Sequence, residues 1–591
     1  MRHRVTCRVM PSWSVGASPP MPPSLEIRLL GSPCLVLEGK ASSGPRGRKS
    51  WAVIARILLG DRPLGRRELV DLLFQDAVDP LGALRWTLSE VRRSMHRDDL
   101  LRGDPLALLE TGAVVDVHAL AGTTDAIRVA EAAGELLGGW TFPACPEFDE
   151  WLQIERRRVQ SRVEAHLRDA AMQHLAAGES GIAVRLASRA VVSNPLDEAL
   201  QELLVRCLAR HGDRAGANEQ AARCERLFRE TLGVQVSRAI WAAVDDGPIL
   251  ERVQASPAAA AALLESGQAA IDVGAIDAGI QTLRRAIALS GDDRQRATGL
   301  LRLGSALIHE LRGRDEEGAV FLHEAALVAQ RVGDIATTVA ALRELAFVDV
   351  QAGRAATAAA RLKTASELAG TNDHLRCGVL AVLGMHLSDR GDQQESMRVF
   401  QASIEAAERS NDRRQAAWSR ALMGRSSLLA GDLPRARELF DEAIEGCRTE
   451  RWLSFLPFPL AMRAEVGIEL GEEDDRLAPL LEEAFALGCE LGDPCWEGLG
   501  GCGLAHLSAS RGQLDLAWKQ AVDAHRRCIR HPDRYVWVEA WVLLRLVGVA
   551  SRGGREAEAR VARATLADLI ARTEQSHLTG RLPGSGIRGG P

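Results

Sequence analysis

The spacing of hydrophobic positions changes along the first 120 residues of the chain. Two short apolar stretches, 25–31 and 33–39, flank the turn pair Gly31-Ser32 and predict a pair of strands. Three helices are then predicted by apolar residues three and four apart, at 50–60, 66–74 and 79–95. Apolar residues return in 106–110 and 113–117, after a Gly-Asp-Pro turn at 103–105, and predict a closing hairpin. Strands, three helices and a hairpin make up a winged helix, which we predict over residues 24–120.

Beyond residue 134 the pattern is helical almost throughout. A proline-containing break at 143–146 favours a helix start, and two helix pairs that turn near Gly178 and Gly212 follow it. Because these turns are separated by close to the ~34-residue period of tetratricopeptide repeats, we predict a helical domain over 134–245.

From 256 to 574 the repeats are longer and more regular, with a turn glycine about every 40 residues. A single helix pair cannot bury its apolar face, so neighbouring pairs are expected to stack into a solenoid. In one of these helices Ala436, Phe440 and Ala443 share a face, where the small residues allow close helix approach. The predicted turn glycines are Gly274, Gly313, Gly353, Gly391, Gly431, Gly471, Gly512 and Gly553.

The predicted fold class is therefore mainly α, with an N-terminal α/β winged helix-turn-helix, a helical domain and a tetratricopeptide-like α-solenoid. The extension 1–23 and the tail 575–591 lack core-forming residues and are predicted to be disordered. At 591 residues the chain is too long for one hydrophobic core, which agrees with this division.

Composition narrows the classes of function. The net charge of -6 argues against a generally basic surface, although a DNA-binding protein needs positive charge only on its docking face. The 11 cysteines contain no CxxC pair and the 14 histidines show no metal-ligand spacing, so core thiols and no metal site are predicted. No apolar run reaches the ~18–20 residues of a membrane span, and the first twenty residues lack a signal-peptide core. A cytoplasmic protein without membrane contact is expected.

No enzymatic constellation can be assembled. The segment GPRGRKS at 44–50 lacks the spacing of a phosphate-binding loop, and neither a nucleophile elbow nor a dinucleotide fingerprint is present. We predict no catalytic residue and no cofactor. Five tryptophans leave two interpretations open, packing between repeats, which is favoured, or a concave ligand site: Trp452, Trp496, Trp518, Trp537 and Trp541.

The helix at 79–95 carries the functional hypothesis. One face is predicted to pack inward through Leu81, Leu84, Leu88, Val91 and Met95. The opposite arc is exposed by the same periodicity, and arginines there suit hydrogen bonding to guanine or contact with phosphate. This arc holds Trp86, Ser89, Glu90, Arg93 and Arg97, with Arg85 and Arg92 beside them.

Cations also cluster at the starts of the two preceding helices, where free backbone N–H groups already favour phosphate. They are Arg48, Lys49, Arg66 and Arg67. We predict that these four side chains contact DNA phosphates, while Arg85, Trp86, Ser89, Arg92 and Arg93 lie in or beside the groove.

A family resemblance supports this hypothesis. The N-terminal domain resembles that of SARP-type regulators (Streptomyces antibiotic regulatory proteins), related to OmpR-type winged helices, in RLLGSPCLVLEG, GRKSWAVIARILL, RRELVDLLF and ALRWTLSEVRRSM. The helical domain resembles the bacterial transcriptional activation domain that follows it in this family, in PEFDEWLQIERRRV, RAVVSNPLDEAL and ARCERLFRETLGV. The resemblance covers about residues 24–245.

The resemblance implies binding to double-stranded DNA at promoters and contact with RNA polymerase. By position, Arg92 and Arg93 match the arginine pair of the family's recognition helix, and Trp86 and Ser89 match groove-facing sites. Two features depart from the pattern: Glu90 places a negative charge in the groove-facing arc, and the turn at 103–105 is less basic than in OmpR-type proteins.

The sequence thus predicts a sequence-specific DNA-binding regulator, an activator, whose solenoid receives a protein or small-molecule effector; a homodimer is compatible with this prediction. The alternative is a protein-interaction scaffold whose winged helix does not bind DNA. Glu90 and the acidic pI of about 6.2 favour the scaffold.

Overall fold

A computed structural model describes residues 25–42, 44–60, 62–96, 101–106, 113–120, 130, 134–246, 257–272, 274–311, 313–530, 535–573, 575 and 578. The described residues up to Ala119, together with Gly134–Asp149, form one compact unit, and those from Glu150 onward belong to a second. Within these ranges no helix is long and apolar enough to cross a membrane. A small α/β unit and a long helical array confirm the predicted fold class.

The first unit contains a four-stranded sheet in the order β3-β2-β1-β4. The strands are β1 (Leu25–Arg28), β2 (Cys34–Leu37), β3 (Lys40–Ser42) and β4 (Val114–Val115). The predicted pairing of the first two stretches is confirmed, since β1 and β2 are antiparallel and Gly31 between them has a left-handed φ of 81°. β4 runs parallel to β1. Most of the predicted partner strand of the closing hairpin, 107–110, lies outside the described residues.

Three helices of the first unit lie where the apolar spacing predicts them: α1 (Arg48–Leu59), α2 (Arg66–Leu73) and α3 (Pro80–Ser94). They pack against one another, and the short α4 (Asp116–Ala119) follows β4. The carboxylate of Asp116 accepts hydrogen bonds from the backbone N–H groups of Leu29 and Leu30, both at 2.9 Å, and so ties α4 to the sheet.

The second unit is built from helices that pack mainly on their neighbours in sequence. Its first part contains α5 (Pro146–Ala176, from Glu150 onward), α6 (Ser180–Ser193), α7 (Glu198–Arg210), α8 (Arg214–Leu232) and α9 (Arg238–Val244). Gly178 and Gly212 have φ values of 83° and 88°, which confirms the two predicted turns.

The solenoid follows as successive helix pairs. In order, the pairs are α10 (Pro257–Asp272) with α11 (Ile276–Leu289), α12 (Asp293–His309) with α13 (Asp315–Arg331), α14 (Ile335–Gln351) with α15 (Ala355–Ala369), α16 (Asp373–Asp389) with α17 (Gln393–Arg409), α18 (Arg413–Ala430) with α19 (Leu433–Thr449), α20 (Pro457–Leu470) with α21 (Asp474–Leu491), α22 (Pro494–Ser510) with α23 (Leu514–Cys528), and α24 (Val536–Arg552) with α25 (Glu556–Thr573).

The turn glycines predicted within these pairs adopt left-handed φ values of 71–87°, with one exception. Gly553 has a φ of −83°, and its neighbour Gly554 takes the left-handed conformation at 68°. Gly553 nevertheless lies in the predicted turn, with its N–H donating to Val549 O at 3.0 Å, and Gly554 supplies the left-handed residue of that turn.

Small residues allow the two helices of a pair to approach closely. Ala436, Phe440 and Ala443 are fully buried, as predicted from their spacing. The ring of Phe440 packs against Gly424 of α18, and the ring of Phe400 packs in the same way against Gly384 of α16.

The solenoid turns back on itself. The ring of Phe347 in α14 lies 6.3 Å from that of Tyr535, the residue before α24. Thr573 at the end of α25 also lies against Gly353, in the turn between α14 and α15. The third and eighth helix pairs of the solenoid are therefore in direct contact.

A buried ion cluster joins α5 to the solenoid. Arg168 of α5 forms a bidentate pair with Glu316 of α13, at 2.6–2.9 Å, and both side chains are 5% exposed. Arg361 of α15 pairs with Asp169 of α5 and with Asp349 of α14. Burial, reinforced by the nearby positive charge of Arg168, lowers the pKa of Arg361 to about 9. The helices of residues 150–246 and the solenoid thus belong to one packed unit.

The five tryptophans divide between the two interpretations. Trp452, Trp496 and Trp537 line a cavity on the inner face of the solenoid, so the favoured packing interpretation does not describe them fully. Trp541 and Trp518 lie outside that cavity, with the guanidinium groups of Arg545 and Arg555 over their rings.

Candidate nucleic-acid interface

The start of α3 is fixed by its first residues. Asp79 caps the helix, with its Oδ1 accepting a hydrogen bond from Gly82 N at 2.9 Å, and Pro80 occupies the first helical position. Both residues suit a helix N-terminus, the aspartate by satisfying a free N–H group and the proline by its fixed φ. The register of the helix, and hence the direction of every side chain along it, follows from this start.

One face of α3 is buried as the apolar spacing predicts. Leu84, Leu88, Val91 and Met95 are at most 1% exposed. Leu81 was predicted on the same face but is 49% exposed, because it lies in the first turn, beyond the edge of the core. The inward-facing stripe therefore begins at Leu84.

The opposite face of α3 is open to solvent. Arg85, Trp86, Ser89 and Arg93 are exposed, and Trp86 retains 58% of its surface. These are four of the five side chains predicted in or beside the groove, and the structure places them together. Arg97, predicted on the same arc, lies outside the described residues. Trp86 adds a large aromatic surface to an otherwise polar face.

Glu90 does not belong to the exposed face. Its prediction as a groove-facing charge is wrong, because the residue is only 9% exposed and lies against the segment before α1. Its carboxylate accepts hydrogen bonds from Arg46 N at 3.4 Å and from Arg93 Nη1 at 2.8 Å. Helical spacing places Glu90 at the border of the two faces, and only the packing of α1 decides on which side it lies.

Arg93 stays available despite its pairing with Glu90. Its side chain is 72% exposed, whereas that of Glu90 is only 11% exposed, so the ion pair is open to solvent on the arginine side. A guanidinium has five N–H donors, so Arg93 can donate to another acceptor while Nη1 stays paired with Glu90. Burial of the glutamate beneath it also keeps the negative charge away from the surface of the helix.

Arg92 has a different environment from its neighbour. It is half-buried, and its Nη2 donates a hydrogen bond to Leu101 O at 2.7 Å. This contact holds the end of α3 to the segment that follows it. In this structure Arg92 acts as a positioning residue for the turn at 101–106.

The four cations at the other helix starts also differ from one another. Arg48 is exposed, with its guanidinium 5.6 Å from the ring centroid of Trp140, and Arg67 is exposed. Lys49 is ion-paired with Asp76 and lies 5.3 Å from the ring centroid of Phe74. Contacts with Asp76, Phe74 and Trp140 join residues far apart in sequence, and no local pattern indicates them.

The N-terminus of α2 is already satisfied by carboxylates. Asp104 accepts a hydrogen bond from Arg66 N at 2.9 Å, and Glu68 accepts one from Gly65 N at 2.8 Å. Arg66 also donates from Nε to Gly103 O at 3.2 Å. The N-terminus of α1 is different, because Gly47 precedes it and offers no side-chain acceptor. Of the two helix starts, that of α1 is the better place for a phosphate.

Comparison with known proteins places the next segment of the chain. Residues 112–245 match the family model of the bacterial transcriptional activator domain. A comparison with curated proteins finds no match.

Several solved structures are similar in part. Mycobacterium tuberculosis EmbR, in complex with a low-affinity phosphopeptide, has 18% identity and a TM-score of 0.30, covering 38% of this chain and 65% of its own. Aspartyl phosphate phosphatase F from Bacillus subtilis has 10% identity and a TM-score of 0.37, covering 69% and 95%. Yeast Tom70 has 12% identity and a TM-score of 0.32, covering 77% and 85%.

The assignment rests on the family model, which overlaps the segments in which the activation-domain resemblance was found. The chain therefore carries a bacterial transcriptional activator domain over residues 112–245, and this confirms its resemblance to the SARP-type regulators.

Proposed function

We propose that this protein is a sequence-specific DNA-binding transcriptional activator that reads the major groove with α3. The observation that carries the proposal is the exposed face of that helix, where Arg85, Trp86, Ser89 and Arg93 lie opposite a fully buried apolar stripe. A helix in the major groove needs an exposed polar face of this kind, and arginine is the residue that most often contacts guanine.

In this proposal the first unit is an OmpR-type winged helix-turn-helix. Arg85, Ser89 and Arg93 contact base edges, and Trp86 packs against the sugar-phosphate backbone or a thymine methyl group. Arg48 and Arg67, the two fully exposed cations of the supporting set, neutralise phosphates. Lys49, Arg66 and Arg92 join the interface only if they give up the contacts described above.

The activator domain then provides a surface for RNA polymerase or for a second copy of the chain, and the solenoid receives an effector. The rival function, a scaffold that does not bind DNA, loses its main structural support, because Glu90 is buried away from the exposed face.

The experiment is selection of bound genomic fragments by the full chain, followed by salt titration on an enriched site. The full chain is preferred because residues 150–246 pack against the solenoid through the buried ion cluster. Arg93→Ala is expected to weaken binding to the selected site by about 1–3 kcal/mol and to relax specificity at one base position. Arg67→Ala should weaken binding to all DNA sequences evenly and reduce the slope of log K against log salt by about one.

The matched control is Arg226→Ala, which removes an exposed arginine from α8 in the second unit. This variant should bind as the parent chain does. Loss of selectivity in Arg93→Ala but not in Arg226→Ala supports the reading helix. A folded full chain that selects no sequence at low salt would contradict the proposal and leave the scaffold as the function.

A further inference from the structure

The inner face of the solenoid holds an aromatic cavity with a volume of about 340 Å³. Pockets for small molecules have volumes of about 300–1,000 Å³, so this one suits a small ligand. The chain has 12 tryptophans, 11 phenylalanines and one tyrosine, and eight of these side chains line this single cavity. They are Phe347, Trp418, Trp452, Phe455, Phe458, Trp496, Tyr535 and Trp537.

The rings contact one another around the cavity. Phe458 and Trp496 stack with centroids 5.7 Å apart and an interplanar angle of 26°, and Trp452 stacks on Phe455 at 4.7 Å and 27°. Phe347 and Tyr535 meet edge to face, with centroids 6.3 Å apart and an interplanar angle of 79°. The rings therefore offer both faces and edges to the cavity, and a planar aromatic ligand can pack against either.

The charged groups of the cavity are compensated within the protein. Arg343 pairs with Glu344, and His309 Nε2 lies 2.8 Å from the same carboxylate. Although burial opposes ionisation, the charges of Arg343 and His309 hold the pKa of Glu344 at about 2. Arg414 is exposed, and its guanidinium lies 5.9 Å from the ring centroid of Trp452, while Glu310 is an exposed residue of the opposite sign. The lining therefore carries no large excess of either sign, and an uncharged ligand fits it best.

Two buried polar groups of the lining have no hydrogen-bond partner among the described residues. They are the indole Nε1 of Trp496 and the amide Oε1 of Gln351, and both residues are 6% exposed. An unsatisfied buried donor or acceptor costs free energy, and most such groups in folded proteins find a partner. One ligand with an acceptor and a donor would satisfy both.

We propose that this cavity binds an uncharged, planar aromatic molecule that accepts a hydrogen bond from Trp496 Nε1 and donates one to Gln351 Oε1. In this proposal the molecule is the effector of the regulator described above. Its regulatory role rests on the proposed function, whereas its binding to the cavity does not. Binding itself is measured without DNA. Failure of DNA binding and failure of ligand binding are therefore separate results.

The test is isothermal titration calorimetry of the full chain with 2-quinolone, a planar compound with one C=O acceptor and one N–H donor. For a probe of this size, a Kd between about 10 μM and 1 mM is expected. N-methyl-2-quinolone keeps the ring and the carbonyl but lacks the donor, and should bind about five- to tenfold more weakly.

Two variants assign the contacts. Trp496→Phe keeps an aromatic ring against Phe458 but removes the indole N–H. It should lower the affinity for both compounds by the same factor, about five- to tenfold. Gln351→Leu should abolish the difference between the two compounds. Trp518→Phe is the control, because that tryptophan lies outside the cavity, and it should change neither affinity. Melting temperatures close to that of the parent chain confirm that each variant is folded.

Three results would overturn the proposal: no saturable binding of either quinolone, equal affinities of the two compounds for the parent chain, or the same loss in Trp518→Phe as in Trp496→Phe.

Discussion

Gly384 and Gly424 offer a matched test of how closely the helices of a pair approach. They lie in α16 and α18, and each faces the buried phenylalanine of the following helix, Phe400 or Phe440. A Cβ atom at Gly384 would lie 2.6 Å from the ring of Phe400, whereas one at Gly424 would lie 3.1 Å from the ring of Phe440. We expect Gly384→Ala to destabilise the solenoid and Gly424→Ala to have little net effect.

The magnitude follows from two opposing contributions. Replacing glycine by alanine inside a helix stabilises it by about 1 kcal/mol. Overpacking a tight core costs about 1–3 kcal/mol, and a contact of 2.6 Å against a ring that is 0% exposed belongs at the upper end of that range. Gly384→Ala should therefore lose about 1–2 kcal/mol. At Gly424 a shift of a few tenths of an ångström relieves the contact, so the change should lie within about 0.5 kcal/mol of zero.

Hydrogen exchange is the appropriate assay, because a long repeat array need not unfold in one step. Gly384→Ala should speed exchange of the α16 and α17 amides, and Gly424→Ala should leave α18 and α19 unchanged. The added substitution Phe400→Leu should recover part of the loss by removing the obstructing ring. Equal protection in the two alanine variants would contradict this prediction, because it would mean that the 0.5 Å difference in approach has no energetic consequence.

Three further predictions concern the second unit. Gly554→Ala should lower the free energy of unfolding by about 1 kcal/mol, and with it the melting temperature, because the residue has a left-handed φ. Gly553→Ala should be neutral or stabilising, and differential scanning calorimetry measures both variants. Burial raises the pKa of Glu164 from 4.5 to about 7, so the folded chain binds a proton that the unfolded chain releases. Stability therefore falls as the pH rises from about 4.5 to 7. Glu164→Gln should raise the melting temperature at pH 8, by the equivalent of about 1–3 kcal/mol, and have little effect at pH 4. Arg168→Met should cost about 3–5 kcal/mol because it leaves Glu316 charged and buried, and Glu316→Gln in the same chain should restore part of the loss, measured by thermal unfolding.

Local periodicity was sufficient to predict the helices and most turns. Helices at 50–60, 66–74 and 79–95 are found almost at those bounds, and Gly431 has the left-handed φ of 84° that its place in the repeat predicts. These features depend on residues within one or two turns of one another, so the sequence contains the necessary information directly. Gly553 also lies in its predicted turn, but only the end of α24 decides which of the two adjacent glycines takes the left-handed φ.

The candidate interface was predictable in outline but not in detail. Helical spacing placed Arg85, Trp86, Ser89 and Arg93 on one face, and all four are exposed. It could not place Glu90, which lies at the border of the buried face and is covered by the segment before α1. Whether a border residue is buried depends on the packing of another element.

Long-range assemblies could not be predicted at all from local patterns. The pair between Arg168 and Glu316 joins residues 148 positions apart, and it depends on how α5 lies against the solenoid. The aromatic cavity likewise depends on contacts between distant repeats, since its lining brings together Phe347 of the third pair and Tyr535 next to the eighth.

The contact between the third and eighth helix pairs changes the statistical mechanics expected of this array. An open repeat protein behaves like a one-dimensional chain, in which each unit depends on its two neighbours and the ends fray independently. Here Phe347 meets Tyr535 and Gly353 meets Thr573, so the chain of couplings closes into a loop. Unfolding any one pair inside the loop then destabilises its two neighbours and also the contact between the third and eighth pairs. The pairs from the third to the eighth should therefore melt as one cooperative block, whereas the first two pairs lie outside the loop and are held through the contact of Arg168 with Glu316 instead.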